Sequence, residues 1–179
     1  MTDERFADFR VAGRSSMGKE GLRRLPHREN DLCFACGPDH PWGLRMQFFT
    51  DEERVYSWPI IPRHLSGWGS IVHGGIVATL LDEAMGWTGF HLLKKMMLTK
   101  TITVEFLKPV QVEEELRIEG AISKVRSGRE AEVLGALYNA GGELCARASG
   151  VFATFTADGM KRRGLIDRST LEGARRIIE

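Results

Sequence analysis

Along most of this chain apolar and polar residues interleave, but over residues 74–90 the pattern changes to Ala, Leu, Ile, Val and Met with no internal proline. That run predicts one long helix. Ile76, Val77, Leu80, Leu81, Ala84, Met85 and Trp87 cover more than one stripe of it, so other structure must wrap it. Residues 44–50 and 54–60 read as two strands joined across Asp51-Glu52-Glu53. Residues 99–107, 115–125, 130–139 and 144–156 read as four more, rich in Val, Ile, Thr and Phe. Thr101, Thr103 and Glu105 alternate with Ile102, Val104 and Phe106, the period of a strand with one covered face. Gly128 after Arg126-Ser127, and Gly141-Gly142 after Asn139-Ala140, mark hairpin turns. Two strands, a helix and four antiparallel strands make an α+β order. One antiparallel sheet curled around a single central helix meets every burial demand.

With 179 residues the chain has room for one domain. Residues 1–30 are polar and broken by Gly13, Gly18, Gly21 and Pro26, and are expected to be an extension with one short helix, weakly tied to the core. Residues 31–156 hold the wrapped domain, opening on a Cys-, Gly- and Pro-rich turn. Residues 157–179 form a charged tail in which Ser169-Thr170-Leu171-Glu172 has capping-box spacing, predicting a short C-terminal helix.

Charge narrows the partners. The 25 basic and 24 acidic residues leave a net charge of +1, which gives no electrostatic case for nucleic acid. No stretch approaches the roughly 20 continuous apolar residues of a membrane span. Charged residues run through the first thirty positions with no apolar stretch of a secretory signal, and the 3 cysteines are odd in number. A reducing, cytoplasmic setting is the expectation.

The segment Val72 to Asp82 concentrates the candidate chemistry. Gly74 and Gly75 at a helix start let a ligand approach the backbone, and first-turn N–H groups lack intrahelical partners. Such donors can stabilise an oxyanion developing on an acyl carbonyl; a tight turn alone would also use two glycines. Asp82 falls in an otherwise apolar stretch, where a carboxylate needs a partner. At 100° per residue it shares a face with Ala78, Met85, Gly86 and Gly89, while Glu83 points toward Thr79, Ile76 and Trp87. A carboxylate beside a cleft can attack a thioester or activate water; an acid facing solvent or a partner's arginine is the plainer reading. His73 and Asp82 stand nine residues apart, on opposite sides of one helix. They cannot easily share a site within one subunit, whereas a two-fold dimer can bring His73 and Gly75 of one chain to Asp82 of the other.

The stretches HGGIVATLLDEAMG and TKTITVEFLKPV resemble the hotdog-fold acyl-CoA thioesterases of the phenylacetate-pathway (PaaI-like) type, over about residues 31–156. The resemblance implies a sheet wrapped around a central helix, working as a homodimer or dimer of dimers. It implies that Gly75 N–H polarises the thioester carbonyl, that His73 helps position it, and that Asp82 of the facing subunit is nucleophile or general base. It also implies that Thr99 orients the attacking water. Some relatives carry an Asn six residues before the histidine; here that position is Gly67, and Trp68 beside it is a candidate for shaping the acyl pocket, with Met85, Trp87 and Phe90.

Lys124, Arg126 and Arg129 cluster at a hairpin and are candidates to hold coenzyme A phosphates, although hairpin tips are commonly just solvated. Cys33-Phe34-Ala35-Cys36, with His27 and His40 nearby, invites a zinc reading, but a structural site takes two such pairs or a pair plus spaced histidines. The pair is expected to be a structural turn, with no metal and no cofactor beyond the coenzyme A of the substrate. Hydrolysis of acyl-CoA to carboxylic acid and free coenzyme A is the leading expectation; an acyl-CoA binding module without turnover and a hotdog enoyl-CoA hydratase are the alternatives.

Overall fold

A row of side-chain-free positions decides how this protein is built. The computed structural model describes residues 4–10, 18–27, 31–126 and 128–178, so Gly13 and Ser127 lie outside the described residues. Its strands are β1 (Arg23–Arg24), β2 (Phe48–Thr50), β3 (Val55–Ser57), β4 (Met96–Phe106), β5 (Arg117–Arg126), β6 (Glu130–Tyr138) and β7 (Leu144–Phe155). They form one antiparallel sheet in the order β1-β2-β3-β5-β6-β7-β4. Helix α1 (Gly74–Leu93) lies across its inner face and packs on β3 to β7.

The approach is closest where strands β5 and β6 present Gly120 and Gly135, directly paired across the ladder. A Cβ on Gly120 would stand 2.1 Å from Thr88 Oγ1 and 3.1 Å from the Ala84 carbonyl. One on Gly135 would stand 3.2 Å from both Leu81 and Met85. The helix therefore sits where only hydrogen fits beneath it. Val77, Leu80, Leu81, Ala84 and Met85 are buried there with Ile118, Val133, Leu137 and Phe152.

The predicted elements form with shifted ends. The strand expected over 44–50 is ordered only at Phe48–Thr50, because Arg45 takes a positive φ of 49° that extended pairing does not allow. The 51–53 link closes through Asp51 Oδ1, which accepts from the Glu53 and Arg54 amides. At the other end the helix expected from Ser169 begins earlier. Helix α3 (Arg168–Ile178) is started by Asp167, whose Oδ1 accepts from Thr170 N at 2.7 Å, so Ser169 and Glu172 both lie inside it. Leu171, Ala174 and Ile177 form its buried stripe, and a short α2 (Ala157–Arg162), capped by Thr156, precedes it.

The N-terminal stretch departs from expectation more. Instead of being weakly tied, the 3-10 turn Glu4–Arg10 buries Phe6 and Phe9 on the outer face of the sheet, against Leu134, Ala136 and Tyr138. An i,i+3 pair shares one side of a 3-10 turn, so both rings reach the sheet. Tyr138 donates to the Phe9 carbonyl at 2.6 Å, and the Arg54 and Arg147 guanidiniums lie over the Phe9 and Phe6 rings. Under this turn Glu119, with 0% exposure, accepts from Arg54 and Arg117 at 3.2 and 3.0 Å. Leu25, just past β1, is in the main core.

Replacing Gly120 with alanine forces Thr88 and the helix backbone away from the sheet. We expect Gly120→Ala to lose about 1–3 kcal/mol of stability, read as a lowered urea midpoint with an unchanged slope. A midpoint equal to wild type would mean that the helix is not seated on this glycine.

Candidate functional site

The helix delivers candidate residues to two separate cavities. At its start, the loop before α1 is closed by the amides of Gly67 and His73, which donate to the carbonyls of Ile71 and Leu65. This holds His73 as the N-cap, and its Nδ1 accepts from Gly75 N–H at 3.0 Å. Nδ1 is thus the unprotonated nitrogen, and the proton of the neutral ring sits on Nε2. The amide expected to face a substrate carbonyl is, in the free protein, already engaged by its own cap. Gly74 faces Phe106, whose ring would lie 3.6 Å from a Cβ there. A cavity of about 710 Å³ opens beside His73 and Gly74, walled by Trp68, Ile71, Phe106 and Pro109. Trp68 is 86% exposed, far more than an indole usually is in a soluble protein. At Gly67 a Cβ would be 3.3 Å from His73 Cα, so a side chain there would press on the histidine.

Over two turns further along α1, Asp82 faces a second cavity of about 250 Å³, shared with Cys33, Glu83, Trp87, Phe90 and Thr99. Thr99 Oγ1 donates to Asp82 Oδ1 at 2.8 Å. Strict alternation would put Thr99 on the outer side with Thr101 and Thr103. The register of β4 slips between Thr99 and Thr101, leaving Lys100 as an extra residue. This bulge reverses the phase of the strand. Met97 and Thr99 thereby face the helix before it, and Ile102 and Val104 pack on the core after it. Burial pushes the Asp82 carboxyl above its ordinary value, and the threonine bond offsets part of that rise.

Glu83 turns toward Trp87, as the helical angles predict, yet both carboxylates line the same cavity. Trp87 Nε1 donates to Glu83 Oε1 at 3.1 Å, and Cys33 Sγ stands 3.6 Å from the same oxygen. Burial pushes Glu83 up to about 7. Trp87 is fixed by stacking on Phe48 and by the edge of Phe90. Met85, expected in the acyl pocket, is fully buried against Gly135 and Gly150 and does not line this cavity.

Cys33 and Cys36 are free thiols that meet Glu83 in one cluster. The Cys36 hydrogen bond holds Cys33 down to about 5 and pushes Cys36 upward. Neither histidine of the zinc reading joins them: His40 Nδ1 accepts from the Trp42 amide, and the His27 ring meets the edge of Trp87. Sequence reasoning missed Glu83. The available signal was its place four residues before Trp87 on a helix that needed a partner for the cysteine pair.

The basic hairpin lies apart from both cavities. Its tip packs on β7 through Thr154, which bonds to the Arg129 and Gly128 carbonyls, and Thr154 in turn pairs with Met97. The cluster therefore stands at the same end of the sheet as Thr99. Arg126 is held by Glu132 at 2.8 Å, whereas Lys124 and Arg129 have no acidic partner among the described residues.

The architecture has known counterparts. Residues 69–146 match a family model described as the thioesterase superfamily. An uncharacterised protein of Schizosaccharomyces pombe is 34% identical over 93 residues, 49% of this chain and 53% of the relative, so the chain spans about half the length of the curated relative it matches. Among solved structures, a thioesterase superfamily protein superposes with a TM-score of 0.62 at 22% identity, covering 68% of this chain and 60% of its own. Escherichia coli PaaI, from the phenylacetic acid degradation operon, gives 0.56 at 13% identity over 63% of this chain and 80% of its own. A hypothetical thioesterase of Streptococcus pneumoniae solved with coenzyme A gives 0.54 at 18% identity, over 57% of this chain and 81% of its own. A long helix wrapped by one antiparallel sheet, superposing on these structures, gives the chain the hotdog fold, and residues 69–146 are similar to the thioesterase superfamily.

Proposed function

We propose that this protein hydrolyses acyl-CoA thioesters at a site shared between two copies of the chain. The observation that carries the reading is Asp82: a carboxylate desolvated in a cavity and aligned by Thr99. A carboxylate whose proton affinity is raised by burial is a stronger base than one in water. Asp82 takes a proton from water as its oxygen attacks the thioester carbonyl carbon. The carbonyl electrons collapse back, the C–S bond breaks, and the coenzyme A thiolate leaves and is protonated. Thr99 fixes the carboxylate so that its second oxygen meets the water. Trp87 and Phe90 give the acyl group an apolar wall, and Lys124 and Arg129, without an acidic partner among the described residues, are cations at this end of the sheet for the phosphates.

The His73-Gly74-Gly75 turn supplies the carbonyl-binding half. The two halves are separated by about 13 Å along α1, and they line different cavities. Strand β4 ends the sheet, so among the described residues no strand lies beside its outer edge, and Trp68, Phe106 and Leu107 are exposed nearby. An unpaired edge flanked by exposed apolar side chains favours a second copy of the chain. In the partner's cavity the acyl carbonyl displaces the His73 imidazole from Gly75 N–H. A further support comes from the pneumococcal thioesterase, solved with coenzyme A and also as variants in which one aspartate or one threonine is replaced by alanine.

Release of free thiol from a panel of acyl-CoAs tests the reading. Asp82→Asn is expected to lower kcat by at least about 100-fold, and Thr99→Val by about 10-fold or more with KM little changed. Wild-type binding without thiol release, or hydration of an enoyl-CoA without it, would replace hydrolysis with a binding or hydratase function. For the shared site, inactive Asp82→Asn and His73→Ala chains are unfolded together, refolded and assayed. Hybrid dimers then hold one intact site, returning about one quarter of wild-type activity at equal mixing. No recovery from verified hybrids would place both residues in the service of one chain.

A further inference from the structure

We propose that Cys33, Cys36 and Glu83 form a binding site for a thiophilic divalent cation of the zinc class, in the wall of the Asp82 cavity. This goes beyond thioester hydrolysis and does not depend on it. One ligand atom from each residue lies within 4.8 Å of the other two. In a tetrahedral site with Zn–S near 2.3 Å and Zn–O near 2.0 Å, the sulfur–oxygen edge is about 3.5 Å and the sulfur–sulfur edge about 3.8 Å. Cys33 Sγ stands 3.6 Å from Glu83 Oε1, so that edge already has the span an ion would set.

The surroundings suit a coordinated ion. Two sulfurs and one carboxylate select zinc over magnesium or calcium, whose ligands are oxygens. Trp87 Nε1–H, at 3.1 Å from Glu83 Oε1, orients the carboxylate as the outer partners of metal ligands do. The turn is fixed independently: Asp31 Oδ1 accepts from Cys33 N at 3.0 Å, and Gly37 N donates to the Cys33 carbonyl at 2.8 Å. A Cβ on Gly37 would fall 2.2 Å from the Asp31 carbonyl, so the turn closes tightly around a residue without a side chain. Without an ion the Cys33 thiol donates to Glu83; a dication at the same place would take over that role and draw all three groups into their ionised forms. Three protein ligands leave a fourth position. Cys33 and Glu83 both line the cavity, so that position opens toward it and takes water or an exogenous donor. Binding requires both thiolates and the ionised carboxylate, so uptake releases protons.

The test uses the full-length protein, reduced and stripped with a chelator, then titrated with Co²⁺. The expected result is one cobalt per chain, with thiolate-to-cobalt charge-transfer absorption that is bleached by one equivalent of Zn²⁺. Cys33→Ser and Glu83→Gln should each weaken zinc by at least about 100-fold in chelator competition, beyond the 10–100-fold cost of losing only an outer partner. Cys36 is buried, so Cys36→Ser is a supporting variant and the other two, at less buried positions, decide the outcome. Asp82→Asn should keep the cobalt spectrum while losing thiol release, which separates a failure of this site from a failure of the hydrolysis reading. Absence of stoichiometric cobalt in the reduced wild type overturns the proposal. So does uptake unchanged in both deciding variants, or a cysteine pair that only forms a disulfide and takes no metal once reduced.

Discussion

The distance between one helix and one pair of glycines governs this molecule. Because Gly120 and Gly135 meet across the β5–β6 ladder, α1 settles onto the backbone of the sheet and not onto a layer of side chains. Large residues are then needed only around that line, and Leu80, Leu81 and Met85 fill the space on either side. The depth of the helix fixes where Asp82 and Glu83 emerge, how far His73 projects beyond the sheet, and how much room remains under Trp87. One cavity opens at the start of this helix, and the other lies along its flank beside Asp82 and Trp87.

Adjacent carboxylates near the middle of such a helix carry a desolvation cost that a core would avoid. Each is met by a small number of specific donors: Asp82 by a threonine hydroxyl, Glu83 by an indole N–H and a thiol. Neither is neutralised by a basic side chain of its own chain among the described residues. The contrast with Glu119 is instructive. That acid is buried more completely than either, but two guanidiniums close on it and the N-terminal turn seals the group. One buried acid is a structural joint, and the other two remain chemically available.

The fold was legible because the sequence has one long apolar run and four stretches rich in Val, Ile, Thr and Phe, and burial leaves few ways to join them. Strand ends were less legible, since a positive φ at Arg45 is invisible to pattern reading. The N-terminal segment was misjudged because Phe6 and Phe9 are sparse among charged residues, yet a 3-10 turn brings both to one side. For the candidate site, the placement of Asp82 and His73 on different sides of α1 followed from helical spacing alone. Three things did not. The engagement of Gly75 N–H by His73 depends on a cap geometry. The meeting of Glu83 with Cys33 joins residues fifty positions apart. The seating of Met85 in the core depends on which glycine lies beneath it.

The extra residue at Lys100 makes β4 two short strands of opposite phase joined end to end. Ahead of the joint, inward positions belong to the Asp82 cavity; beyond it, inward positions belong to the core and to the wall facing Gly74. A change in the pocket segment is thus not transmitted as a register slip along the remainder of the strand, because the irregularity absorbs it. Insulation of this kind separates the side chains that residues 96–99 turn into the cavity from those by which 101–106 hold the sheet closed around its helix.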